Sequence, residues 1–246
     1  MRRRFPVYSE GVTNSPAPVQ LRADAARNRA ALVEAARQVF AERGLDAPLD
    51  EIARRACVGN ATLYRRFPTR AELVEAVFAD RMREYAHAVD GALQDADPGA
   101  GFRAYVLRLF QLQAEDRGLA ELLVTNSGEP DDELERLRHH GSRGARELIE
   151  RAQAAGVLRT DFTPQDLALL LMANAGLVQR TGTTAPDSWR RVAGFLLDGL
   201  SPDAATPAPP PPSEGEIETV MAGGGCVVRP AVPPGAEGPC ARAAAP

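Results

Sequence analysis

The stretch that most constrains this chain is Leu49 to Phe67, LDEIARRACVGNATLYRRF. It carries two apolar patterns of helical period, each about two turns long, separated by about four residues. Helices this short do not persist alone, so they must pack on one another and on a neighbour. In the first, Leu49, Ile52, Ala53 and Ala56 recur at helical spacing and point into a small core. Cys57-Val58-Gly59-Asn60 interrupts the pattern, with Gly and Asn supplying the turn and the next helix start.

The second helix, Asn60 to Phe67, is oriented by Leu63 and Phe67, four apart and facing inward. Ala61, Thr62 and Arg65 then fall on the opposite side and Tyr64 on the flank. Two such helices joined by a tight turn have the spacing of a helix-turn-helix. Small outward residues let a helix sink into a major groove, Thr can meet a thymine methyl or a phosphate, and Arg can bond guanine in two-pronged fashion. Tyr64, Arg66 and Arg70 are placed to hold phosphates. Of Arg54 and Arg55, one touches phosphate while the other pairs with Asp50 or Glu51. The blander reading makes Thr62, Tyr64 and Arg65 the ordinary exposed face of a small bundle. Charge favours the first: the whole chain is acidic at net -4, yet Arg22 to Arg70 holds ten arginines against six acids. All 29 basic residues are Arg, which reads as coding bias and limits the weight of any one of them.

At these residues the chain resembles the TetR family of transcriptional regulators. The matching text is IARRACVGNATLYRRFPTRAEL, preceded by the helix RNRAALVEAARQVFAERG, and the resemblance covers roughly Arg22 to Met82. It implies an all-α, dimeric repressor with an N-terminal three-helix helix-turn-helix DNA-binding domain. A C-terminal helical bundle would bind a small ligand and dimerise. Three positions depart from the family pattern. Cys57 stands where the turn glycine is usual, so a left-handed backbone there costs about 1 kcal/mol. Gly59 replaces the usual Ser, leaving capping to Asn60 or to backbone alone. Arg66 and Arg70 stand where His or Tyr and Lys are common, which keeps or raises the positive charge.

Taken in order, residues 1–21 read as a disordered arm whose Arg2, Arg3 and Arg4 could reach a minor groove. A helix from Arg22 to Arg43 places Leu32, Ala36, Val39 and Phe40 on one face and stops at Gly44. With the helix-turn-helix it gives a DNA-binding domain at 22–68. Thr69 and Glu72 form a capping box for a helix running to about Leu93, which in the family links the two domains. Asp95 to Gly101 reads as a hinge. Further helices follow near Phe102–Glu115, Gly118–Val124 and Glu133–Ala155. The helix carrying LALLLMANAGLV, apolar nearly all round, must be buried on several sides. It and the last helix, with Trp189, Val192, Phe195, Leu196 and Leu200 on one stripe, resemble the family's four-helix dimer interface. The sensing and dimerisation domain therefore spans 69–200, and 201–246 reads as a disordered Pro/Ala-rich tail.

No catalytic constellation is present, and neither a cofactor nor an enzyme activity is expected. His139 and His140 point to different faces of a helix, and the three cysteines have no metal spacing, so no metal is expected either. With no long apolar span or leader pattern, the expected place is the cytoplasm, away from membranes. Ligand-pocket candidates are Phe102, Tyr105, Phe110, Gln113, Asn126, His140, Met172 and Asn174, aromatic, soft or polar groups on otherwise apolar helices. Each has plain core packing as its simpler alternative. Asn174, an amide in an apolar helix, needs a partner from ligand, second subunit or backbone carbonyl. Cys57 reads as a small buried hydrophobe, with a redox switch as the alternative. The DNA-reading set is Arg54, Asn60, Ala61, Thr62, Tyr64, Arg65, Arg66 and Arg70. The expected partners are a near-palindromic double-stranded operator, a small-molecule effector and a second copy of the chain. A ligand-blind architectural DNA binder, or a helical small-molecule binder or enzyme that ignores DNA, remains the rival, and nothing in the DNA-reading residues separates repressor from activator.

Overall fold

The computed structural model describes residues 18–125 and 133–222. Among them the order is α1 (Pro18–Arg43), α2 (Leu49–Arg55), α3 (Asn60–Arg66), α4 (Arg70–Leu93), α5 (Pro98–Glu115), α6 (Arg117–Leu123), α7 (Glu133–Ala154), α8 (Pro164–Thr181), α9 (Ser188–Asp198) and α10 (Glu214–Ala222). The fold is all-helical, as expected.

Helix starts follow local chemistry. Thr69 accepts from the Glu72 N–H at α4, Asp97 accepts from Gly99 and Ala100 at α5, and Thr163 and Asp166 form a reciprocal capping box at α8. The segment expected to be a hinge is therefore a capped corner. Gly101 lies against the carbonyl of Ala92, where an added Cβ would sit 2.6 Å from that oxygen, so α4 and α5 meet tightly.

Two apolar clusters divide the interior. The first gathers Leu32, Ala36, Val39 and Phe40 of α1 with Ile52 and Ala53 of α2 and Leu63 and Phe67 of the α3 region. It does not stop at residue 68. Leu73, Val74, Val77, Phe78 and Met82 of α4 belong to it, as do Leu119, Leu122 and Leu123 of α6. The second cluster joins Val89 of α4 to Tyr105, Leu109, Leu148, Ile149, Leu171, Trp189 and Leu197. Helix α4 thus has its first half in one core and its second half in the other.

Two ends differ from expectation. Helix α1 begins at Pro18, inside the stretch assigned to the arm, with proline at a first-turn position where no N–H is needed. The tail assigned to 201–246 contains a 3-10 turn, Pro202–Ala204, and helix α10. Ser213 starts α10 by a reciprocal pair: its hydroxyl accepts from the Glu216 N–H at 3.3 Å, while Glu216 accepts from the Ser213 N–H at 2.8 Å. Ile217 is buried as α10 packs on α8. Arg2–Arg4, Asn126, Cys226 and Cys240 lie outside the described residues.

The expectation that α8 is buried on several sides fails for the single chain. Leu169 is 42% exposed, and on α9 Val192 and Phe195 are 38% and 63% exposed. The buried side of α8 is satisfied internally: Asn174 Nδ2 donates to Gln113 Oε1 at 2.8 Å and to the Phe110 carbonyl at 3.3 Å. Gln113 Nε2 in turn donates to the Leu171 carbonyl at 3.2 Å.

Candidate nucleic-acid interface and effector chamber

Helix α3 is held from beneath. Leu63 and Phe67 are buried, and the Arg29 guanidinium stands 5.4 Å from the Phe67 ring centre. The turn before α3 needs a left-handed residue, and Cys57 takes it with φ 56°. The cysteine is exposed, contrary to the buried-hydrophobe expectation, because that backbone turns its side chain outward. Gly59 caps α3 with extended backbone and no side-chain bond, so backbone alone performs the capping.

On the opposite side of α3, Asn60, Ala61, Arg65 and Arg66 are exposed, Tyr64 is 53% exposed and Thr62 is half-buried. Among the described residues neither Arg65 nor Arg66 has a charged partner, so both guanidinium groups point to solvent. The pair on α2 separates. Arg55 makes two bonds of 2.7 and 2.8 Å to Glu42, and this guanidinium holds the Glu42 carboxyl below its ordinary range. Arg54 is 79% exposed, 3.8 Å from Glu51, and is the one directed outward. Glu51 itself is buried and balanced by Arg43 at 2.9 Å.

Arg70 differs from expectation. Its Nη1 donates to the carbonyls of Leu45 and Ala47 at 2.6 and 2.8 Å, fastening the α1–α2 loop to the start of α4. Two backbone carbonyls thus occupy Nη1 of the group that was expected to meet phosphate.

Farther from α3, a chamber of 260 Å³ opens between α4, α5, α6, α7 and α8, with α10 across it. Its lining includes Tyr85, Tyr105, Leu123, Arg138, Ala145, Leu171, Met172, Ile217 and Met221. Arg138 is buried. Its Nη2 donates to the carbonyls of Leu122 and Thr125, and its Nη1 meets Glu135 at 3.3 Å. Its Nε, also buried, has no hydrogen-bond partner among the described residues. Burial pushes the Tyr85 phenol up to about 12 and that of Tyr105 well above its ordinary value. A chamber with an apolar wall, two phenols and one unused donor can take a small molecule bearing a hydrogen-bond acceptor.

Of the pocket candidates, Tyr105 and Met172 line this chamber. Phe102 lines a smaller, separate cavity of 220 Å³, and Phe110 is core. Gln113 and Asn174 are spent on each other, and His140 bonds Asp90 at 2.9 Å. Sequence reading missed Tyr85, Arg138 and α10. Tyr85 carries no mark in the sequence beyond its place on a long helix, and Arg138 is one arginine in an arginine-dense helix.

Residues 32–77 match the family model for bacterial regulatory proteins of the tetR family, and residues 97–202 match that for the C-terminal domain of SbtR-like transcriptional regulators. A TetR transcriptional regulator from Streptomyces coelicolor is 33% identical, over 71% of this chain and 98% of its own, with a TM-score of 0.44. A TetR transcription regulatory protein from Mycobacterium vanbaalenii is 35% identical over 74% of this chain and 99% of its own, with a TM-score of 0.42. A tetR-family regulatory protein from Rhodococcus RHA1, 21% identical, shares the fold at a TM-score of 0.53 over 72% of this chain and 96% of its own. No curated protein matches the sequence.

Proposed function

Since this chain belongs to the TetR family of DNA-binding transcriptional regulators, we propose that it is a homodimeric repressor that leaves a near-palindromic operator when a small molecule enters the chamber beneath α10. The observation that carries the DNA-reading part is the exposed outer face of α3, where Tyr64, Arg65 and Arg66, without charged partners among the described residues, stand over a fixed Leu63–Phe67 base. Arg65 reads a base edge, and Tyr64, Arg66 and Arg54 hold phosphates on either side.

A second copy docks on the open apolar face of α8 and α9, where Leu169, Val192 and Phe195 leave water. The pair presents two α3 helices to major grooves about 34 Å apart along the duplex. DNA-binding and sensing domains divide near residues 68–69, with α4 common to both.

The effector is a compact molecule with an apolar body and a neutral hydrogen-bond-accepting head, since Glu135, Glu214 and Glu218 share the lining and Arg138 is already paired with Glu135. The body lies against Leu123, Leu171, Met172 and Ile217, and the head accepts from Arg138 Nε beside the two tyrosine hydroxyls. Tyr85, which faces the head, is on α4 three turns beyond Leu73 and Val74, which pack under the reading helices. Displacing Tyr85 shifts α4 and so the spacing of the two reading heads. A hundredfold fall in operator affinity needs about 2.7 kcal/mol of coupling.

The test is selection of duplexes from a random pool by the purified protein, followed by titration of the winner at two salt concentrations. A near-palindrome strongly enriched over random DNA, and released by a small carbonyl-bearing molecule from a metabolite panel in wild type but not in Arg138→Met, supports the reading. Salt-sensitive binding without sequence preference would reduce it to an architectural role.

A further inference from the structure

Outside both sites, three side chains that the sequence keeps apart come together. His87 and Asp90 lie one turn apart on α4, and His140 reaches them from α7. His87 Nδ1 is 2.6 Å from Asp90 Oδ2, His140 Nε2 is 2.9 Å from Asp90 Oδ1, and the two imidazole centres are 5.2 Å apart. One donor atom from each side chain lies within 4.8 Å of the other two.

The approach of the helices has a local cause. An added Cβ at Gly141 would sit 3.3 Å from the Tyr85 ring, and one at Gly144 would sit 2.6 Å from a methyl of Val89. Two glycines beside His140 therefore let α7 lie close on α4, and the rings meet over one carboxylate.

We propose that His87, Asp90 and His140 bind a divalent transition-metal cation of the zinc class, clamping α4 to α7. Two imidazole nitrogens and one carboxylate oxygen suit Zn²⁺, Co²⁺ or Ni²⁺, whereas Mg²⁺ and Ca²⁺ take sets made of oxygen. Tetrahedral bonds of about 2.0–2.2 Å place donor atoms about 3.3 Å apart. The two His–Asp separations, 2.6 and 2.9 Å, are hydrogen-bond distances a little shorter than that value, so small side-chain rotations open a seat for the ion. Asp90 already turns one carboxylate oxygen to each ring, Oδ2 to His87 and Oδ1 to His140. The metal replaces those two hydrogen bonds, and any proton carried on a coordinating nitrogen leaves to solvent. All three side chains are at least partly exposed, so water completes the coordination.

The pairing escaped sequence reading because only His139 and His140 are neighbours there. His139 instead faces Glu135 at 3.4 Å and is 78% exposed, which makes it a control.

The test is a Co²⁺ titration of the untagged full-length protein, followed by Zn²⁺ competition. The expected result is visible absorption of four- or five-coordinate Co²⁺, saturating at one ion per chain and abolished by Zn²⁺. His87→Gln and His140→Gln should each weaken binding by about a hundredfold, since even losing a supporting partner of a metal ligand costs about 10–100-fold. His139→Gln should bind as wild type, and circular dichroism checks that every variant keeps its helix content. Absorption that persists in the His87→Gln/His140→Gln double variant, or none in the wild type, would overturn the site.

Discussion

Glu121 on α6 accepts a hydrogen bond from the backbone N–H of Leu45 at 3.0 Å. The same carboxylate lies against Gly44, where φ is +85° and an added Cβ would be 2.8 Å from Oε2. A side chain of the larger domain thereby holds the corner at which α1 turns toward the reading helices. Glu121→Ala leaves the Leu45 N–H without its acceptor and should cost about 1–3 kcal/mol of stability. Glu121→Gln keeps an acceptor and should recover most of it. Denaturant unfolding measures both, and amide exchange at Leu45 should quicken only in the alanine variant. Equal losses in the two would assign the contact to charge instead.

Arg65 and Arg70 should separate by what they lose. Arg65→Ala removes a solvent-facing group and should weaken the selected operator by about 1–3 kcal/mol, leaving stability and random-duplex binding nearly unchanged. Arg70→Ala uncovers the carbonyls of Leu45 and Ala47 and should instead lower the unfolding midpoint. Its salt slope on DNA should match the wild type at temperatures where the domain stays folded. A slope reduced by about one charge would make Arg70 a phosphate contact after all.

Cys57 occupies the left-handed position of the turn at φ 56°, a conformation glycine adopts without strain. Cys57→Gly should therefore stabilise the protein by about 0.5–1 kcal/mol, the relief of strain being reduced by the added freedom of the unfolded chain. Thermal unfolding of the variant measures it, and a destabilised variant would mean the exposed thiol makes a contact worth more than the strain.

The Tyr85 phenol is raised to about 12 by burial, so the folded state resists its ionisation. With the folded value above the ordinary 10.0, the associated stability is fully present below pH 10.0 and fades as pH climbs toward 12. Titration followed by tyrosinate absorbance should show late-ionising phenols, one of which disappears in Tyr85→Phe. If all tyrosines of Tyr85→Phe and wild type ionised in the same ordinary range, the chamber would be open to water.

The helix-turn-helix was legible because its information is local. Leu63 and Phe67 set the inward side of α3, and the Gly59-Asn60 turn set its start, all within one short stretch. The anchoring of Arg70 was not legible because its partners, two backbone carbonyls more than 20 residues earlier, carry no sequence signature. The chamber was half legible for a similar reason. Tyr105 and Met172 announced themselves as unusual groups on apolar helices, but Gln113 and Asn174, equally unusual, satisfy each other. That distinction depends on how α5 meets α8. Helix α10 was overlooked in proline-rich surroundings, although Ser213 and Glu216 have capping-box spacing and Ile217 and Met221 are four apart.

The open face of α8 and α9 yields the remaining prediction. Phe195 is 63% exposed and touches the Arg191 guanidinium, 5.0 Å from its ring centre, while Val192 and Leu169 extend the patch. In a twofold dimer each substitution acts twice, once per copy. Withdrawing one phenylalanine from a buried interface costs about 1.5–3 kcal/mol, and an aspartate in its place adds the cost of desolvating a charge. Phe195→Asp should therefore shift the protein to monomer in sedimentation and lower operator affinity steeply. A duplex carrying one half-site should bind variant and wild-type protomers alike, since α3 is untouched. A variant that remains dimeric with full operator affinity would move the interface off this face.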